Sequence, residues 1–138
     1  MAWLNEPALI PHPVDDKWIL ANPLRYRWRG NQVEVPEGFI TDLASIPRLA
    51  QLVIPVNGKH RRAAILHDYL MVVQTMSRKD TDRLFRDAMV DSGVPAWQRS
   101  IMYAAVRIFG KGPWDKNAGL LAADRISYLE SNGIRVKR

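Results

Sequence analysis

Thr41-Asp42-Leu43-Ala44-Ser45-Ile46-Pro47 and His67-Asp68-Tyr69 are the stretches of this chain best suited to chemistry. His67 and Asp68 stand in a run that otherwise reads as an apolar helix. An imidazole or carboxylate taken out of water needs a partner, a metal or a catalytic task. Asp82 and Asp87, on the next expected helix, are the candidate partners. Positions 63, 64, 67, 70, 71 and 74 share one face of the first helix, which places His67 among Ala63, Ala64, Leu70 and Met71. Small alanines one turn before a histidine leave room for a substrate or another backbone. Asp68 is turned one step away, beside Ala64, Ile65 and Val72. Asp42 leaves a strand and enters a helix, a junction that brings side chains and carbonyls to a cleft. Asp42 or Ser45 can equally serve there as a helix cap.

Each of these residues also has a plainer role. His67 can be a core histidine donating to a carbonyl. Asp82 borders the apolar stripe through Phe85 and Met89, facing the preceding helix, but it can instead be an exposed charge paired with Arg78 or Arg86. A turn near Met76-Ser77 makes the two helices antiparallel. At about 1.5 Å per residue, that turn leaves His67 and Asp82 roughly one helical turn out of step, so direct contact requires a looser connection or an oblique crossing. His60, in the run Lys59-His60-Arg61-Arg62, is expected to be solvated, and it is two turns from His67, too far to share a metal. There is no His-Glu-x-x-His, which excludes a zinc protease of that kind. Ser45 lacks the glycines of a nucleophile elbow.

The elements that must position these residues divide the chain. Lys17 to Ala21, Arg25 to Trp28 and Gln32 to Val35 read as strands, with Gly30-Asn31 as a two-residue turn. Pro36 and Gly38 precede a last extended pair, Phe39-Ile40. A sheet this small must pack on helices. Ser45 and Pro47 open a short helix that ends before Pro55. Lys59 to about Thr75 carries a helical stripe. Ser77 caps a second helix, with Asp80 in its first turn, and that helix stops at Ser92-Gly93. Pro95 and Ala96 open a third helix that ends at Gly110. Lys111 to Asn117 reads as a turn, Leu120 to Glu130 as a final helix, and Ile134 to Arg138 as a mobile basic tail. The expected fold is α+β, a small N-terminal antiparallel meander packed on three main helices. It forms a single domain over 1–138, with an arm at 1–13, a β region at 14–41, a helical region at 45–110, and a C-terminal helix and tail at 118–138.

Composition limits the function classes. The 138 residues are enough for one domain with a core of its own. The absence of cysteine excludes disulfides, thiolate metal sites and cysteine nucleophiles. No apolar run approaches a membrane span. Met1 to Pro13 has neither a basic nor an apolar leader region, so no signal peptide is expected. The net charge of +6 is read first as solubility and only second as a phosphate-binding surface. No zinc-finger spacing, Walker loop or ribonucleoprotein motif supports nucleic acid as a partner. Trp114, in Gly-Lys-Gly-Pro-Trp, is expected on a loop as an exposed partner-binding anchor.

The strings GFITDLASIPR, AAILHDYL, SRKDTDRLFRDAM and IMYAAVRIFG, in that order and spacing, resemble the phage and prophage family called domain of unknown function 1353. The resemblance covers roughly residues 17 to 114 and implies a tailed-phage context without an activity. A carboxylate before a capped turn, then His-Asp on a helix, then Asp-x-x-Phe on the next, is also similar to small calcium-dependent secretory phospholipases of bacterial type. That second resemblance implies His67 as general base, Asp82 as the group that orients it, and Asp42 and Asp68 as calcium ligands. Calcium prefers hard oxygen donors and would polarise an ester carbonyl. The chain departs from those enzymes in lacking cysteine and in having Met71 where tyrosine is expected.

Two functions follow as expectations. One is a calcium-assisted hydrolase acting on a lipid or another ester or amide. The other is a non-enzymatic structural phage protein, tail-associated and partnered by other tail proteins, in which the His/Asp cluster is a buried packing network. The location expected for either is the host cytoplasm during infection, or the virion.

Overall fold

Strands come first along the chain and helices follow, an α+β arrangement. The computed structural model describes residues 2–14, 17–41 and 58–136. The strands are β1 (Ala2–Trp3), β2 (Leu9–Pro11), β3 (Trp18–Leu20), β4 (Leu24–Trp28), β5 (Asn31–Val35) and β6 (Ile40–Thr41). The helices are α1 (Arg61–Val73), α2 (Arg78–Asp91), α3 (Ala96–Phe109), α4 (Lys111–Ala123) and α5 (Arg125–Ser131). Asp42, and the short helix expected after Ser45, lie outside the described residues.

The expected meander is two three-stranded antiparallel sheets, ordered β1-β4-β5 and β2-β3-β6. The N-terminal arm supplies an outer strand to each. Pro11, which has no N–H to donate, is tolerated because β2 is an edge. Two asparagines join the irregular stretches. Asn5 donates to the Pro23 carbonyl at 2.6 Å and accepts from the Arg25 N–H at 2.8 Å, while Asn22 accepts from the Ala8 N–H at 2.7 Å.

β4 shows the period of two that one buried face demands. Leu24, Tyr26 and Trp28 are buried, and Arg25 and Arg27 are not. The β4–β5 turn is one residue earlier than the sequence suggests. Trp28 pairs with Asn31, and Arg29 and Gly30 both have positive φ. Two such residues match the twist of a tight hairpin, so the turn takes Arg29-Gly30 and Asn31 joins the strand.

α1 has buried residues on nearly every side. It lies at the centre, against α2, α4, β5 and β6, which is why its sequence is apolar beyond a single stripe. It stops at Gln74, a left-handed cap whose side chain donates to the carbonyls of Met71 and Trp114. α2 begins where expected, with Ser77 Oγ accepting from the Asp80 N–H at 3.1 Å. It packs on α1, α3 and β1.

The stretch expected as a turn at 111–117 is helical. Pro113 falls in the first turn of α4, where N–H groups have no intrahelical acceptor, so proline removes nothing needed. The expected mobile tail is also anchored at its start. Ile134 belongs to the core and its N–H donates to the Leu129 carbonyl. Ile40 donates to the Asn132 carbonyl at 3.0 Å. There Gly38 and Gly133 meet backbone to backbone, both at positive φ, and a Cβ on Gly133 would run into the Gly38 carbonyl.

Candidate active site

His67 and Asp82 do meet. His67 Nε2 lies 2.7 Å from Asp82 Oδ1, and both side chains are almost wholly buried. The offset expected from helix counting is absorbed at the helix ends. α1 finishes at Val73, six residues after His67, and α2 starts at Arg78, four before Asp82. The remaining mismatch is about 3 Å of helical rise. The four-residue connection, opened by the left-handed Gln74, accommodates it.

Asp82 is also held from its other oxygen. Arg107 Nη1 donates to Oδ2 at 2.7 Å and Arg78 Nη1 at 3.4 Å. Arg78 further donates to the Val106 and Arg107 carbonyls at the end of α3, each at 3.3 Å. Two guanidiniums and an imidazole around one carboxylate satisfy a charge that could not otherwise be buried. An ionised carboxylate only accepts hydrogen bonds, so the proton belongs on Nε2 and the lone pair of neutral His67 is on Nδ1. Nδ1 has no hydrogen-bond partner among the described residues. The imidazole lies against Phe85, with ring centroids 4.8 Å apart.

The other two acidic residues on the inner side of α2 serve the sheet. Asp87 accepts from Trp28 Nε1 at 2.9 Å and Asp91 from the Tyr26 hydroxyl at 2.6 Å. Burial, together with the Asp91 carboxylate, pushes the Tyr26 hydroxyl well above its ordinary pKa, so it remains a donor. Asp87 is therefore not a partner of His67.

Asp68 accepts from Thr41 Oγ1 at 2.7 Å. That bond brings the end of β6 against α1, beside His67, and joins the two stretches singled out in the sequence. Asp42, the next residue after Thr41, lies outside the described residues. Among the described residues no group of three histidines or carboxylates is placed to hold a metal ion.

Two further sequence expectations need correction. His60 is buried, not solvated, because it occupies the N-cap position of α1 under the fold. Neither of its ring nitrogens has a partner among the described residues, and burial pushes its pKa down. Trp114 is half-buried in α4 rather than exposed on a loop, since its helix face turns toward α1. Trp97, at 58% exposure, is the more open indole. Arg107 was not anticipated as a site residue. It is distant in sequence from Asp82, and its only signal was a guanidinium in a mostly apolar helix.

A buried His–Asp pair between two central helices of an α+β domain defines the site. The chain belongs to the family described as protein of unknown function DUF1353, whose model matches residues 18–106. It is similar to the uncharacterized protein y4jT of Sinorhizobium fredii (strain NBRC 101917 / NGR234), 37% identical over 78 residues, 55% of this chain and 23% of that one. It is similar also to the uncharacterized protein y4iH of the same strain, 36% identical over 72 residues, 51% of this chain and 30% of that one. The matched part of each relative is thus under a third of its length. No solved structure matches the chain significantly.

Proposed function

We propose that this domain hydrolyses an ester, with His67 as general base and Asp82 as the residue that orients it. The observation that carries the reading is the 2.7 Å contact from Nε2 to a buried carboxylate, with Nδ1 unheld among the described residues. Asp82 fixes the tautomer and steadies the imidazolium once it forms. Nδ1 takes a proton from water as the water oxygen bonds to the ester carbonyl carbon. It then returns the proton to the departing alkoxide as the C–O bond breaks. Asp42 and Asp68 are the proposed calcium ligands, and Asp68 stands next in sequence to the base and beside Thr41. A lipid ester is the substrate class that fits the motif resemblance.

His67→Ala tests this on soluble and lipid esters. The expected result is loss of hydrolysis with helix content retained, and a melting temperature in the unaltered chain that rises with calcium. No hydrolysis by the unaltered chain, or full activity in the variant, overturns the reading.

A second reading has its own support. Asp82 joins three helices, through His67 on α1, Arg78 on α2 and Arg107 on α3. A network of that kind suits a structural component of a phage particle, such as its tail, with no catalysis. It predicts co-purification with virions and, for His67→Ala, loss of folding.

A further inference from the structure

α3 has a second apolar face, and its residues are exposed rather than packed among the described residues. Its inner residues, Met102, Ala105 and Val106, are in the core. Trp97, Ile101, Ala104 and Ile108 are exposed and follow one another at spacings of four, three and four. That spacing places them in one line along the helix. Trp97, Ile101 and Ile108 are 58%, 39% and 69% exposed, and Phe109 adds a ring at the C-terminal end at 53%.

The charge carried by α3 itself has one sign, from Arg99 and Arg107. No acidic residue occurs between Asp91 and Asp115. Arg99 bonds only to the Val94 carbonyl among the described residues, so its charge is not neutralised. Arg107 and Arg78 share the single carboxylate of Asp82, which leaves one positive charge in excess. Lys111 is paired with Asp115. A second copy of the chain laid on this face would bring like charges together, on a protein already at +6. A helix with an exposed row of tryptophan, isoleucine and phenylalanine beside uncompensated arginines matches an anionic interface with an apolar layer beneath it.

We propose that the outer face of α3 docks on an anionic lipid surface. The inference does not depend on catalysis at His67. Arg107 reaches Asp82 from the residue beside Ile108, so the docked helix and the His–Asp pair are in direct contact.

The test is sedimentation of the full chain with vesicles of phosphatidylcholine alone and of phosphatidylcholine with phosphatidylglycerol, at low and high salt. Binding is expected on the anionic vesicles, at least about tenfold tighter than on neutral ones and weakened by salt. Tryptophan emission should move to shorter wavelength on binding, and Trp97→Phe should remove that movement. An Ile101→Ser, Ile108→Ser double variant should keep its melting temperature, since both side chains are exposed, and lose about tenfold in binding. Equal or absent binding to the two vesicle types overturns the proposal. So does undiminished binding by the double variant, or a dimer in solution that the double variant abolishes. Hydrolysis is not measured, so failure here leaves the general-base reading standing.

Discussion

His60 and His67 are seven residues apart, and both are buried, at 1% and 3% exposure. They differ in what meets the ring. His67 gives one nitrogen to a carboxylate that two arginines also hold. His60 has no partner on either nitrogen among the described residues. Equal burial of the same side chain therefore has opposite consequences. In one case a polar group is used to join three helices. In the other an imidazole is enclosed at a cost with nothing in the described residues to offset it. Burial alone says little about a histidine, and the hydrogen-bond account decides.

The largest effect should come from removing the anchor. Asp82→Ala leaves His67, Arg78 and Arg107 without their shared acceptor, and should lower stability by about 3–5 kcal/mol in urea unfolding. A loss below about 1 kcal/mol would put the two histidines on the same footing. His60→Leu should act in the opposite direction. It removes two unpaired nitrogens at similar volume and should stabilise by about 1–2 kcal/mol at neutral pH. Its pH dependence sharpens the contrast. The folded pKa of His60 lies below its ordinary 6.5, so the unfolded chain binds a proton first. Stability is then full above about pH 6.5 and is lost as pH falls toward the folded value. His60→Leu should flatten that part of the profile, and an unchanged slope would assign it elsewhere. The smallest effect belongs to an exposed pair, Arg25 with Glu34 at 2.6 Å across β4 and β5. Glu34→Gln should change stability by only about 0.2–1 kcal/mol, which sets the scale against which Asp82 is judged.

Much of this was readable in the residues. The bounds of α2 follow from Ser77 and Gly93, and His67 and Asp82 stand out as candidate partners, two polar side chains set in apolar stripes, although helix counting leaves them about one turn out of step. What escaped was non-local. The doubled sheet depends on the arm folding back, which no periodicity in two- and three-residue strands announces. α4 was obscured because Gly112 and Pro113 read as a turn unless a proline in a first helical turn is recognised as harmless. His60 resembled a surface residue because its neighbours in sequence are basic. Lys59 is exposed and Arg62 leads outward, to Glu6 and over Trp3, while the imidazole of His60 is enclosed. Arg107 was invisible because only the crossing of α3 over α2 brings it to Asp82.

The meeting of Gly38 with Gly133 ties the end of the chain to its β region. The family match ends at residue 106, yet the strand that carries Thr41 to Asp68 rests on a loop some thirty residues later. A version cut at the edge of the match would lose α4, α5 and that loop together, and would bare the Ile40 amide beside the residues that frame the His–Asp pair. The segment outside the match is therefore a buttress for the part inside it.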